Sequence, residues 1–178
     1  MDELIEILNE DGSFSGKSVL KSEAHQKGIF HASAHIWICN TNNEILIQKR
    51  AEHKDTFPNL WDISVAGHIS FGESPLTSAL REVKEEIGLD LQENALKSAG
   101  TFEKKIHHSK DLIDHELHFL YVCKIPLSLA DLTPQASEVS ALKLISFDSF
   151  TEITQRANFV PHGKTYFELV RRSFQKII

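Results

Sequence analysis

Three carboxylates crowd one short stretch of the chain: Glu82, Glu85 and Glu86, within REVKEEIGL. Oxygen donors at this spacing suit a hard divalent cation, since Mg²⁺ takes one or two carboxylates, several waters and the oxygens of a substrate phosphate. For that chemistry the three must share one side of a helix, and at about 100° per residue they span an arc of roughly 100°. Their mutual repulsion costs roughly 0.2–0.5 kcal/mol per i,i+3 or i,i+4 pair. The same segment carries Leu76, Ala79, Leu80, Val83 and Ile87 at helical spacing, and burying each large apolar side chain is worth about 1.5–3 kcal/mol. The stripe therefore outweighs the repulsion. The helix ends are legible too. Ser74 offers a hydroxyl to an orphan N–H, Pro75 holds the helical φ at the first position, and Gly88 is free to take the left-handed turn at the end. An acidic run alone is more often a solvated face, so the surrounding positions decide.

Those positions form a longer pattern. Gly67 is followed after five residues by Glu73, and after seven more by Arg81-Glu82-Val83-Lys84-Glu85-Glu86-Ile87-Gly88-Leu89. The stretch Gly67 to Leu89 matches every fixed position of the Nudix box, a signature long enough to make chance agreement negligible. The chain resembles the Nudix hydrolases. That resemblance implies an α/β fold, an α/β/α sandwich with a mixed β-sheet, and a loop–helix–loop that holds Mg²⁺ or Mn²⁺ against a diphosphate. On the matching positions Glu82, Glu85 and Glu86 are the implied metal ligands and catalytic carboxylates, with the Gly67 carbonyl as a further ligand. Glu73 and Arg81 are implied to brace the loop against the helix.

Beyond the box the chain is similar to one Nudix branch, the isopentenyl-diphosphate isomerases, roughly from Ile5 to Leu91. The shared features are a leading strand, a histidine, a second histidine entering a hairpin, a basic-ended strand and W-D-x-S-x-x-G-H. In that branch three histidines and two acidic residues hold a metal. The corresponding positions here are His25, His31, His68, Asp114 and Glu116, a set that suits Zn²⁺, Mn²⁺ or Fe²⁺ better than Mg²⁺. Asp114 and Glu116 lie two apart, so a strand turns both to one face. The departure is as informative: the branch's catalytic cysteine corresponds to Ala66, which has no proton to exchange. Of the remaining histidines, His35 reads as a core residue, and His107, His108 and His162 as loop or surface residues without partners.

The rest of the chain must position these groups. At 178 residues and 41% hydrophobic content it has the size of one domain, 1–178, with a core of its own. Strands are expected over Leu4 to Leu8, Phe30 to Cys39, Glu44 to Lys49, Trp61 to Ala66, Ala99 to Phe102, Leu117 to Cys123 and Ala141 to Phe147. Phe30 to Cys39 and Glu44 to Lys49 read as a hairpin around Asn40 to Asn43. Lys17 to Lys27 reads as irregular, and a histidine-rich loop separates the strands at Phe102 and Leu117. A short helix is expected near Asp148 to Thr154, and a C-terminal amphipathic helix carries Tyr166, Leu169, Val170, Ser173, Phe174 and Ile177.

A net charge of −6 argues against general nucleic-acid binding. It does not argue against a phosphorylated small substrate, because a bound divalent ion supplies positive charge. No apolar run reaches membrane-spanning length and the acidic N-terminus is unlike a targeting signal, so a soluble cytoplasmic protein is expected. Cys39 and Cys123 read as buried reduced thiols. A homodimer is compatible with a small enzyme, though no residue pattern demands one.

The leading expectation is a metal-dependent hydrolase of a phosphoanhydride, acting on a nucleoside-diphosphate-linked or similar diphosphate. Lys49 and Arg50, at a strand end, are the candidate cations for phosphate. The general base is open among Glu85, Glu86 and carboxylates outside the helix, Glu116 and Glu138. The alternatives are an isomerase-like enzyme acting on a prenyl diphosphate, and a Nudix-fold module that senses a diphosphate without cutting it.

Overall fold

The computed structural model describes residues 2–178. In chain order the strands are β1 (Leu4–Leu8), β2 (Phe14–Leu20), β3 (His31–Cys39), β4 (Glu44–Arg50), β5 (Trp61–Asp62), β6 (Val65–His68), β7 (Lys97–Ser109), β8 (Leu112–Lys124) and β9 (Val139–Ser146). The helices are α1 (Lys21–Lys27), α2 (Pro75–Ile87), α3 (Phe150–Thr154) and α4 (Lys164–Phe174). None is long and apolar enough to cross a membrane.

β3 is the axis of the molecule because it is covered on both faces, and all nine of its residues are buried. β8 runs parallel to it, placing His31 opposite Glu116 and Ser33 opposite His118. β6 pairs with it antiparallel, with Ser33 opposite His68 and His35 opposite Ala66. β7 extends this sheet beyond β8, while β4 pairs with β9 and β5. Alternation along β3 then sorts the core into two layers. Ala34, Ile36 and Ile38 pack with Val65 and with Ala79, Val83 and Ile87 of α2. Trp37 and Cys39 pack with Leu120, Val122 and with Tyr166, Val170 and Phe174 of α4. The result is helix, mixed sheet, helix: the α/β/α sandwich. Cys39 and Cys123 are both buried and unbridged.

Four expectations for the elements need correction. Lys17 to Lys27 is not irregular: it supplies the end of β2 and all of α1, whose seven residues bury only Ala24 and so leave no periodic signal. The hairpin of β3 and β4 is nominal, since only Cys39 and Ile45 pair before the strands diverge and β4 turns to β9. The strand expected from Trp61 to Ala66 is two, broken at Ile63-Ser64 where the chain passes between the two halves of the sheet. There the Ser64 hydroxyl donates to the Leu46 carbonyl at 2.6 Å and accepts the Ile38 N–H at 2.9 Å, stitching β4 to β3. Finally, the histidine-rich loop is strand. β7 and β8 pair almost without interruption from Lys97–Val122 to Ser109–Leu112, and the outer half escaped notice because one side of β7 is exposed and polar.

Candidate metal centre and substrate cavity

The acidic helix is set by its caps. The Ser74 hydroxyl accepts the Thr77 N–H at 3.1 Å, Pro75 opens α2, and Gly88 closes it at φ 72°. With the apolar stripe against β3 and β6, Glu82 and Glu86 are buried and Glu85 is exposed. Arg81 ties the helix to the preceding loop. Its Nε donates to Glu73 at 3.1 Å, Nη1 to Glu82 at 2.7 Å and Glu85 at 3.0 Å, and Nη2 to the His68 carbonyl at 3.1 Å.

Gly67 is required here for space. A Cβ at this position would lie 1.9 Å from Glu82 Cδ and 2.2 Å from its Oε1, so the carboxylate occupies the volume a side chain would need. Glu86 is fixed from the other side, where the Gln48 amide donates to its Oε2 at 3.1 Å while Gln48 Oε1 is buried without a partner. Burial, reinforced by Glu82, pushes the Glu86 carboxyl up to about 8; burial also raises Glu82, against the opposing pull of Arg81. Burial favours the neutral form of both carboxyls, and a cation bound between them would favour the ionised form.

The sheet alternation places a second group on the other side of β6. Gly67 faces α2, and the next residue, His68, joins His25, His31 and Glu116, whose ligand atoms all lie within 4.8 Å of one another. His25 Nε2 is 3.2 Å from His68 Nε2, and Glu116 Oε1 is 3.8 Å from Nε2 of both His31 and His68. Metal–nitrogen bonds of about 2.1 Å in a tetrahedral site give ligand separations of about 3.4 Å, so the group fits a transition ion with little movement. His31 supplies the decisive detail. Its Nδ1 lies 2.7 Å from the Ile29 carbonyl and must carry the proton, which leaves a lone pair on Nε2; that atom is buried with no partner. Burial pushes His25 and His68 below their ordinary values, keeping them neutral as metal ligation needs. Asp114 stands at the rim, 3.9 Å from His25 Nε2 and bonded to His108 at 2.7 Å.

Glu82, Glu85 and Glu86 of the first group and His68 and Glu116 of the second line one cavity of about 440 Å³. Of the two cations expected for phosphate, Arg50 lines it, bonded to Asp62 at 3.1 Å. Lys49 does not, and the register of β4 against β9 shifts between Lys49 and Arg50. Lys54 lines the cavity instead, paired with Glu138. Several further lining residues went unrecognised in the sequence. His118, on β8, follows Asp114 and Glu116 at the same two-residue interval, a signal that was available. His162, taken for a partnerless surface residue, is buried and bonded to Asp62 at 2.7 Å; His35, read as a core residue, is indeed buried and bonded to Tyr166 at 2.9 Å, and it also lines the cavity. His108 likewise has a partner in Asp114, whereas His107 is exposed.

Comparison with known proteins agrees with this geometry. The model of the NUDIX domain family matches residues 29–169. Nudix hydrolase 3 of Arabidopsis thaliana is 32% identical over 186 residues, covering 98% of this chain but only 24% of that protein's own length. Isopentenyl-diphosphate Delta-isomerase of Serratia proteamaculans is 33% identical over 141 residues, covering 79% of this chain and 74% of the isomerase. Among solved structures, a Deinococcus radiodurans protein superposes with a TM-score of 0.70 at 17% identity, covering 96% of this chain and 98% of that one, a likeness of fold alone.

Proposed function

Since the chain belongs to the Nudix superfamily, we propose that it is a hydrolase that uses Mg²⁺ or Mn²⁺ to cleave a phosphoanhydride bond in a small diphosphate substrate. The observation that carries this reading is the cradle of Glu82, Glu85 and Glu86 against Gly67, in which two carboxylates are buried and a backbone position is kept free of side chain. A divalent ion bound there supplies charge neutralisation and an activated water.

The chain's own residues divide the remaining work. Glu82 and Glu86 are held as ligands by Arg81 and Gln48, and Glu85 completes the acidic face from the solvent side. Arg50 and Lys54 provide positive charge for phosphate oxygens at the cavity wall. Glu138, beside Lys54 and lining the cavity, is a general-base candidate outside the helix, alongside Glu85 and Glu86. His25, His31, His68 and Glu116 are the residues that would hold a transition metal, on the evidence of the unpartnered His31 Nε2.

That histidine group favours a second reading, an isomerase-like reaction on a prenyl diphosphate. Against it stands Ala66, opposite His35 on the cavity side of β6, which offers no group to move a proton at an allylic carbon. Two assays separate the readings. A panel of nucleotide, sugar-nucleotide, coenzyme and prenyl diphosphates with Mg²⁺ or Mn²⁺ should release phosphate or a monophosphate, with Glu86→Gln reducing kcat/KM by at least about 100-fold. Isopentenyl diphosphate in deuterated water should take up no deuterium. Deuterium incorporation, or full turnover by the Glu86 variant, would overturn the hydrolase assignment.

A further inference from the structure

Inside the cavity, beyond the two metal groups, three histidines form an array that the hydrolytic reading does not use. The His35 and His118 rings stack with centroids 3.9 Å apart, and His162 stands edge-on to His35 at 5.4 Å. All three line the cavity and all three are buried. His35, His118 and Glu116 also offer ligand atoms that all lie within 4.8 Å of one another, but Nδ1 of each of the two rings is already engaged by a protein partner.

Their tautomers follow from their partners. His162 Nε2 lies 2.7 Å from the Asp62 carboxylate and must carry the proton, leaving the Nδ1 lone pair free. His118 Nδ1 lies 2.8 Å from Ser33 Oγ and 3.3 Å from Glu116 Oε2; beside a carboxylate it too is protonated, leaving Nε2 as an acceptor. His35 is reversed. Tyr166 is fully buried and burial holds its phenol well above its ordinary value, so it keeps its proton. Trp37 Nε1 already donates to the phenol oxygen at 3.1 Å, and the remaining acceptor for the Tyr166 proton is His35 Nδ1 at 2.9 Å. His35 therefore carries its own proton on Nε2. None of the three remaining nitrogens has a partner among the described residues.

These cavity-lining histidines thus offer two acceptors and one donor that no protein group engages among the described residues. A hydroxyl group both donates and accepts, and neighbouring hydroxyls answer this arrangement; an isoprenoid chain answers none of it and would leave three imidazole nitrogens desolvated and unpaired. We propose that His35, His118 and His162 form a recognition subsite for neighbouring hydroxyls on the organic group of the diphosphate substrate, a furanose or similar polyol. This rests on the hydrolase reading for the direction in which the diphosphate lies. Asp62 and Tyr166 are positioning residues: each sets the tautomer of the histidine it holds.

The test uses ligands that cannot be cleaved, so it does not depend on turnover. Two methylenebisphosphonate monoesters are titrated by calorimetry into the intact protein with Mg²⁺: one of ribose through its 5-hydroxyl, one of tetrahydrofurfuryl alcohol, which keeps the ring and lacks the other hydroxyls. The ribose ester is expected to bind about 100-fold more tightly, with the ratio falling to within a few-fold of unity in His35→Leu and His162→Phe. The wild-type comparison stands alone if a variant fails to fold. Equal affinities, preference for the tetrahydrofurfuryl ester, or binding of neither overturns the subsite. Diphosphate hydrolysis, measured separately, reports on the metal-dependent reaction, so the two readings fail independently.

Discussion

Substituting Gly67 by alanine separates the fold from the chemistry more sharply than removing a carboxylate. The backbone there is not in the left-handed region, so alanine adopts the native conformation without strain. The added methyl meets Glu82: its Cδ, 1.9 Å away, must retreat by about 1.5 Å to reach ordinary contact distance. Glu82 is the far end of a flexible side chain, so it can swing aside. The stability loss is then confined to its hydrogen bond with Arg81, at 2.7 Å in the native site, and amounts to about 1–3 kcal/mol. The consequence for a metal centre is larger. A displacement of this size at a reacting centre costs about 100-fold in rate, and rescue by raising Mg²⁺ should be partial, because a misplaced ligand alters the site's geometry as well as its affinity. The assay is kcat/KM for a cleavable diphosphate at a series of Mg²⁺ concentrations, alongside urea denaturation of the same samples. Wild-type turnover and Mg²⁺ dependence in a folded Gly67→Ala protein would refute the idea that Glu82 acts from its place against Gly67.

Three further outcomes follow from the same geometry. In metal-free protein Glu86 titrates near 8 instead of at an ordinary carboxylate value, so the folded state binds a proton more readily than the unfolded chain; stability contributed by the protonated carboxyl is lost as pH rises from about 4.5 toward 8. Denaturation midpoints across that window should fall for the wild type and stay flatter for Glu86→Gln, with added Mg²⁺ restoring the wild type at pH 8. His31→Ala should abolish stoichiometric transition-metal content, read by elemental analysis of the purified protein, while leaving secondary structure intact by circular dichroism. Ser64→Ala should cost about 1–3 kcal/mol in urea denaturation, because the Leu46 carbonyl and the Ile38 N–H both lose their bond to the Ser64 hydroxyl inside the core.

The parts of this structure that the sequence disclosed are those written in local order. α2 could be bounded to the residue because Ser74, Pro75 and Gly88 act on neighbours within a turn or so. The stripe that seats it has the helical period. The inward face of Asp114 and Glu116 follows from strand alternation alone. What stayed hidden depends on pairings between distant segments. His31 is grouped with Glu116 only through the resemblance to the isomerase branch, because the contact itself is created by the parallel register of β3 and β8. His162 and Asp62 are a hundred residues apart in sequence. Lys49 and Arg50 are adjacent and equally basic, yet only the pairing of β4 decides which of them faces the cavity. The outer half of β7 and β8 was lost for a different reason: its exposed face carries the polar residues that also mark loops.

β6 shows how four residues of one strand serve both candidate ion sites. Val65 and Gly67 face α2, one filling the core and the other yielding its side-chain volume to Glu82; Ala66 and His68 face the opposite layer, one lining the cavity and the other joining the histidines. A one-residue slip of this strand would present His68 to the carboxylates and Gly67 to the histidines, dismantling both groups at once. The four antiparallel pairs from Ser33–His68 to Ile36–Val65 hold that register, and the bond from Arg81 to the His68 carbonyl pins its end to the acidic helix. Arg81 thus acts on both sides of the strand. Its guanidinium fixes Glu82 directly, and through the backbone of His68 it fixes where the histidine ring begins. If the sites are coupled in this way, Arg81→Ala should weaken Mg²⁺-dependent hydrolysis and lower transition-metal retention together. Loss of the first with full retention of the second would show that the histidine group is held by β3 and β8 alone.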